Sequence, residues 1–99
     1  MKEYILCAAV WFKNGKSYEH QPLNIKTGYI ICGQRHHNCF ITYSILKNKT
    51  IKQSHYGMCI QGFLTSNNRF IDRKEAGEIA FMAEQIEKPT HCLFSEDLY

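Results

Sequence analysis

GFLTSNNRFIDRKEAGEIA, residues 62–80, reads as strand, turn, strand and helix start in one stretch. Ala76, Ile79, Ala80, Ala83 and Ile86 recur at helical spacing, the pattern of one buried helix face. Asp72 with Glu75 three residues on gives a capping box at the helix start, and Pro89 marks its end. Gly77 inside the helix costs about 1 kcal/mol against alanine, which implies that another backbone or a ligand packs close there. Upstream, Tyr56–Thr65 is rich in strand formers and interrupted by Gly57 and Gly62. Ser66-Asn67-Asn68 is a turn, and Arg69-Phe70-Ile71 a short return strand.

Working outward, Glu3–Phe12 (EYILCAAVWF) is an apolar run suited to a buried strand. Asn14-Gly15 is a strong hairpin signal, because both positions tolerate positive φ. It predicts an antiparallel return over Lys16–His20, broken by Pro22, with a third strand over Ile25–Cys32 that Gly33 stops. A helix follows Arg35, with Cys39, Phe40, Tyr43 and Leu46 on one face. The β-branched Ile41 and Thr42 weaken it. Residues 48–55 are polar and read as a loop, and the apolar end of Leu93–Tyr99 is expected to dock. With no repeat and no linker, residues 1–99 form one α+β domain. Its expected order is β-β-β-α-β-β-α, two helices against an antiparallel sheet.

At 99 residues the chain is small. A domain of this size buries only about two thirds of the surface its unfolded form exposes, so self-association is a natural way to enlarge the core. No run approaches the ~18 apolar residues of a membrane span. The N-terminal apolar run lacks a signal-peptide cleavage site, and an intracellular protein is expected. Cys7, Cys32, Cys39, Cys59 and Cys92 are odd in number and irregularly spaced. That argues against a secreted disulfide framework and suggests small buried hydrophobes. A net charge of +3 is too mild to imply duplex nucleic acid. Charge is divided, however. Residues 1–71 carry nine basic side chains against Glu3 and Glu19, whereas residues 72–99 carry three against seven carboxylates. Such asymmetry can steer an anion to one face or let copies associate head to tail.

Only three of the basic residues are arginines, and all stand near helix starts: Arg35 at the first, Arg69 and Arg73 at the second. A planar guanidinium matches phosphate oxygens, and a helix N-terminus offers unpaired N–H groups. The set reads as a phosphate cradle, supported by His36 and His37, or as surface ion pairs with Glu75, Glu78 or the acidic tail. Phe63 or Phe70 could stack a purine, while Thr65, Ser66 and Asn68 could bond ribose or base. The same residues also suit a hairpin with core phenylalanines. Cys32, His36 and Cys39, with His91 or Cys92, do not match a zinc-knuckle spacing. Cys39 has no nearby carboxylate to orient a histidine base, and Glu96-Asp97 after Ser95 suggests a capped turn. No metal, no cofactor and no catalytic residue is expected.

The strand Ile5–Phe12, the cluster Arg35-His36-His37, the block Gly62–Ala80 and the terminal SEDLY together resemble the first family of Thoeris anti-defence proteins. These are phage proteins that bind cyclic nucleotide immune signals without cleaving them. The resemblance implies a non-enzymatic sponge for cyclic ADP-ribose isomers of the glycocyclic type. Some members of that family also hold cyclic oligonucleotides at a second site in a higher oligomer, and the sequence leaves open whether this chain has one. It implies a dimer or hexamer in the cytoplasm of the infected bacterium, with the ligand near the dimer interface. On that reading Arg35, Arg69 and Arg73 bind the diphosphate with His36 and His37 beside them. Phe63 or Phe70 stacks the adenine, and Thr65 and Asn68 bond ribose or base. The alternatives are a small nucleotide phosphodiesterase and an inhibitor that plugs a host enzyme.

Overall fold

The computed structural model describes residues 2–47 and 59–98. The elements are β1 (Ile5–Phe12), β2 (Tyr29–Gly33), α1 (His36–Lys47), β3 (Cys59–Thr65), β4 (Phe70–Asp72) and α2 (Arg73–Met82), with a 3-10 turn at Ser95–Asp97. The strands form one antiparallel sheet in the order β2-β1-β3-β4. The apolar N-terminal run thus becomes an inner strand, paired on both sides. The loop expected over 48–55, the start of the strand expected at Tyr56 and the terminal Tyr99 lie outside the described residues. Among the described residues no helix is long and apolar enough to cross a membrane.

Alternation sends Ala8, Val10 and Phe12 to one face of the sheet, and both helices cover that face. Phe63, Ile71, Ala76, Ala80 and Leu93 join Ala8 under α2, while Ile31, Cys39 and Phe40 join Val10 and Phe12 under α1. Phe12 stacks on Tyr43 at 4.2 Å between ring centroids. The helix face therefore runs His36, Cys39, Phe40, Tyr43, and the expected fourth member, Leu46, is exposed. At the N-terminus of α1, Asn38 at the third helical position accepts from the Arg35 N–H at 3.0 Å, satisfying a donor as the acidic member of a capping box does.

The expected strand at Lys16–His20 does not form. Asn14 closes its turn, accepting from the Lys16 N–H at 3.0 Å, but residues 16–20 are exposed and have no apolar alternation to bury. β2, with buried Ile31, takes the place beside β1, and it starts at Tyr29 instead of Ile25. Residues 13–28 become a strap over the second face of the sheet, where Ile25 packs with Ala9 and Phe70. Gln21 accepts from the Ile30 N–H of β2 at 2.9 Å. Asn24 brackets Phe70 of β4, accepting from its N–H at 2.8 Å and donating to its carbonyl at 2.5 Å. Side-chain amides thus pair both edge strands, which left bare would template aggregation.

Asp72 caps α2, accepting from the Glu75 N–H at 2.8 Å. The helix ends at Met82, not at Pro89. Glu84 turns left-handed at φ 61°, and Gln85 N–H donates to Ala80 O at 2.8 Å while Glu84 N–H donates to Phe81 O at 3.0 Å. That is the Schellman pattern. The Gln85 side chain then pairs with Ile5 as a strand would, accepting from its N–H at 2.7 Å and donating to its carbonyl at 2.8 Å. Gly77 has the expected role: a Cβ there would collide with the Thr90 carbonyl, so the returning chain lies directly on α2. The closing segment docks, with Leu93 and Ser95 buried and Leu98 packed on the core. Its turn is capped by Asp97, which accepts from Phe94 N–H at 2.9 Å, and not by Ser95.

Candidate functional site

The two helices begin on the same face of the sheet, and their first residues meet over β3. His36 opens α1 and Arg73 opens α2. The His36 ring is 8% exposed and edge-on to Phe63, with centroids 5.0 Å apart. Its Nε2 lies 2.7 Å from the Gly62 carbonyl, so Nε2 carries the proton and donates. Nδ1 is then an acceptor, 3.4 Å from Arg73 Nη2. Arg73 Nη2 also donates to Gln61 Oε1 at 2.7 Å, and Nη1 to the Leu93 carbonyl at 2.8 Å. Its guanidinium carbon sits 4.8 Å from the centre of the Phe94 ring, which is 49% exposed. Among the described residues no carboxylate lies within 4 Å of Arg73. Arg35 stands at the rim, 3.9 Å from Glu96, and His37 is exposed beside it.

Burial holds His36 below the ordinary imidazole range. The Gly62 carbonyl and Glu96 oppose the shift, and the charge on Arg73 adds to it. The folded protein thus resists protonation of His36 more than the unfolded chain does. Stability from this group is present above the unfolded value of about 6.5 and is lost as pH falls through the lower folded value. A lower urea midpoint at about pH 5 than at about pH 7.5 is expected. His36→Gln, which keeps a donor for Gly62, should reduce that difference; an equal pH response in the variant would remove His36 as its source.

The remaining expected site residues lie elsewhere. Phe63 is fully buried, and Phe70 is buried on the opposite face, edge-on to Trp11. Neither ring is offered to a purine: alternation turns Phe63 under the helices, and the strap residue Ile25 covers Phe70 on the other face. Thr65 is buried too, with its hydroxyl donating to Glu3 Oε2 at 2.5 Å. Asn68 takes the left-handed turn position at φ 60°, and its carbonyl accepts from Leu23 N–H of the strap.

Arg69 is a clamp. Its Nε and Nη2 grip both Glu3 carboxylate oxygens at 3.0 and 2.8 Å, and Nη2 also reaches Glu75 at 3.1 Å. The fork that could have met a phosphate meets the N-terminal segment instead. Glu3 is held below the usual carboxylate range by Arg69 first and Thr65 second. Arg69→Ala leaves this carboxylate, 16% exposed, without its cation, and should destabilise by about 1–3 kcal/mol. An unchanged urea midpoint would mean that Glu3 rehydrates freely.

Glu3, Gln61 and Phe94 were not singled out by the sequence reading. Gln61 was detectable: alternation places it inward with Phe63 and Thr65, where a glutamine requires a partner. The Cys32–His36–Cys39 grouping is not assembled, since Cys39 packs under α1 whereas Cys32 follows Ile30 onto the strap face. Among the described residues no three metal-ligating side chains gather. The cysteines are also less buried than expected, with only Cys39 inside. A hollow of about 500 Å³ lies between residues 85–90 and Asp97 and shares no lining residue with the Arg73 cluster.

A profile of the family described as "Phage T4 y16D protein" matches residues 4–99, nearly the whole chain. The chain belongs to the phage T4 y16D protein family. No curated protein and no solved structure matches it. The y16D description carries a phage origin and states no activity or ligand. A phage protein is therefore established, while the cyclic nucleotide and the anti-Thoeris role are not part of that description.

Proposed function

We propose that this y16D-family protein is a sponge for a cyclic nucleotide of the ADP-ribose type, binding it without cleavage in the infected host's cytoplasm. The observation that carries the reading is Arg73. Its guanidinium is fixed by three neutral acceptors, is not neutralised by any described carboxylate, and lies against an exposed aromatic ring. An oriented cation of this kind suits a diphosphate. Arg35 adds a second cation at the rim, with His37 beside it as a hydrogen-bonding group, and Phe94 replaces Phe63 and Phe70 as the ring for a base. His36 positions Arg73 and does not act as a base, because both of its ring nitrogens are engaged. Affinity would come from a compact cyclic ligand that loses little freedom on binding.

The protein would act as a closed homo-oligomer, with the site completed near the interface, and light scattering should give at least a dimer. The deciding experiment mixes excess protein with cyclic ADP-ribose isomers, removes the protein by ultrafiltration, then denatures it and analyses the released material. Depletion from the filtrate with intact recovery is expected. A hydrolysed product would establish a phosphodiesterase, and no depletion of any isomer would end the sponge reading in favour of a protein partner.

A further inference from the structure

On the strap face, away from Arg73, β1 and β2 bring two thiols together. Ala9 stands opposite Cys32 in the β1–β2 register, so Cys7, two residues along β1, lies on the same face and diagonal to Cys32. The pairing of β1 with β3 slips between Ile5 and Cys7, and a bulge increases twist and re-aims the adjoining side chains. The register makes the two thiols cross-strand diagonal neighbours on one face, close enough to perturb each other. This contact draws Cys7 down to about 7 and pushes Cys32 up. Cys32 is exposed and Cys7 half-buried. Cys32 also lines a hollow of about 140 Å³ with Pro22, Ile30, Leu64 and Asn68, so the pair is open to solvent on the Cys32 side. Cys39 is sequestered on the other face, where burial raises it to about 12.

We propose that Cys7 and Cys32 form a thiol–disulfide exchange site for a small soluble disulfide of the glutathione type, Cys7 attacking and Cys32 resolving. The Cys7 thiolate attacks one sulfur of glutathione disulfide, forming a mixed disulfide and expelling one glutathione thiolate. That thiolate takes the Cys32 proton. The Cys32 thiolate then attacks the Cys7 sulfur and expels the second glutathione, which is protonated by solvent. Two protein thiols are oxidised to one disulfide, and one glutathione disulfide is reduced to two thiols. The bond ties β1 to β2 next to Gly33, where the chain leaves the sheet for Arg35 and His36.

Reduced full-length protein treated with limiting glutathione disulfide, then alkylated and mapped by mass spectrometry, tests the site. A Cys7–Cys32 crosslink should be the dominant product, and the oxidised protein should melt higher. In Cys32→Ser the reaction should stop at a glutathione adduct on Cys7. With iodoacetamide near pH 7, Cys7 should react about threefold faster than cysteine in an unstructured peptide. The larger thiolate fraction outweighs the lower nucleophilicity of a more acidic thiol. Glutathione appearing first on Cys59 or Cys92, or a Cys7–Cys39 crosslink, would overturn the proposal. Mapping of the parent protein alone decides the matter should the serine variant not fold.

Discussion

Gly62→Ala is expected to lower the melting temperature by about 15 °C. Gly62 is the midpoint of the sheet, paired with Ala9 on one side and Asp72 on the other. A methyl group there would overlap the Ile71 carbonyl and lie 2.7 Å from Phe70 Cζ. The Phe70 ring could turn aside, although it is buried against Trp11. The carbonyl cannot, because moving it opens the β3–β4 ladder. Overpacking of this kind costs about 3 kcal/mol, and at ~4–8 °C per kcal/mol for a domain of this size the shift follows. The Gly62 carbonyl also accepts from His36, so the damage should extend to the start of α1. Thermal denaturation followed by circular dichroism measures it, and a shift of only a few degrees would show that the sheet yields locally.

The strand–turn–strand–helix unit at residues 62–80 was legible because each signal in it is local. Asp72 needs only Glu75 to cap a helix, and the apolar spacing after it is short-range. The role of Gly77 was legible for a different reason: an unfavourable residue within a good helix demands an external cause, and Thr90 supplies it. What failed were readings that depend on distant partners. Asn14-Gly15 made its turn, but the chain beyond it was recruited by Gln21 and Asn24 to the two sheet edges. The end of α2 was set by Gln85 reaching Ile5, eighty residues away in sequence. For Phe63, Thr65 and Phe70, composition suggested ligand chemistry, whereas strand alternation alone would have placed Phe63 and Thr65 under the helices. Arg69 and Arg73 are the same residue type and stand within three residues of the Asp72 cap. Glu3 separates them by neutralising one and not the other, and nothing local to residues 69–73 announces Glu3.

Arg73 carries the largest expected effect on binding. Arg73→Ala should weaken capture of the cyclic nucleotide by about 2–5 kcal/mol, a loss of some thirtyfold to several thousandfold at 1.4 kcal/mol per factor of ten. Part of that cost would be the diphosphate of the proposed ligand, left buried without its fork. The substitution also strips the Leu93 carbonyl, Gln61 and His36 Nδ1 of a donor, so a loss of stability of about 1–3 kcal/mol accompanies it. Titration calorimetry must therefore be paired with melting curves, and performed well below the variant's transition. Arg73→Lys separates the two contributions. A lysine keeps the charge but cannot hold Leu93, Gln61 and a phosphate in one plane, and its affinity should fall almost as far as alanine's. Arg35→Ala, at the rim and already near Glu96, should weaken binding less and leave the melting temperature nearly unchanged. If Arg73→Ala melts lower yet binds cyclic ADP-ribose isomers as tightly as the parent, Arg73 is only a tie between α1, β3 and Leu93. The ligand would then have to be sought on another face.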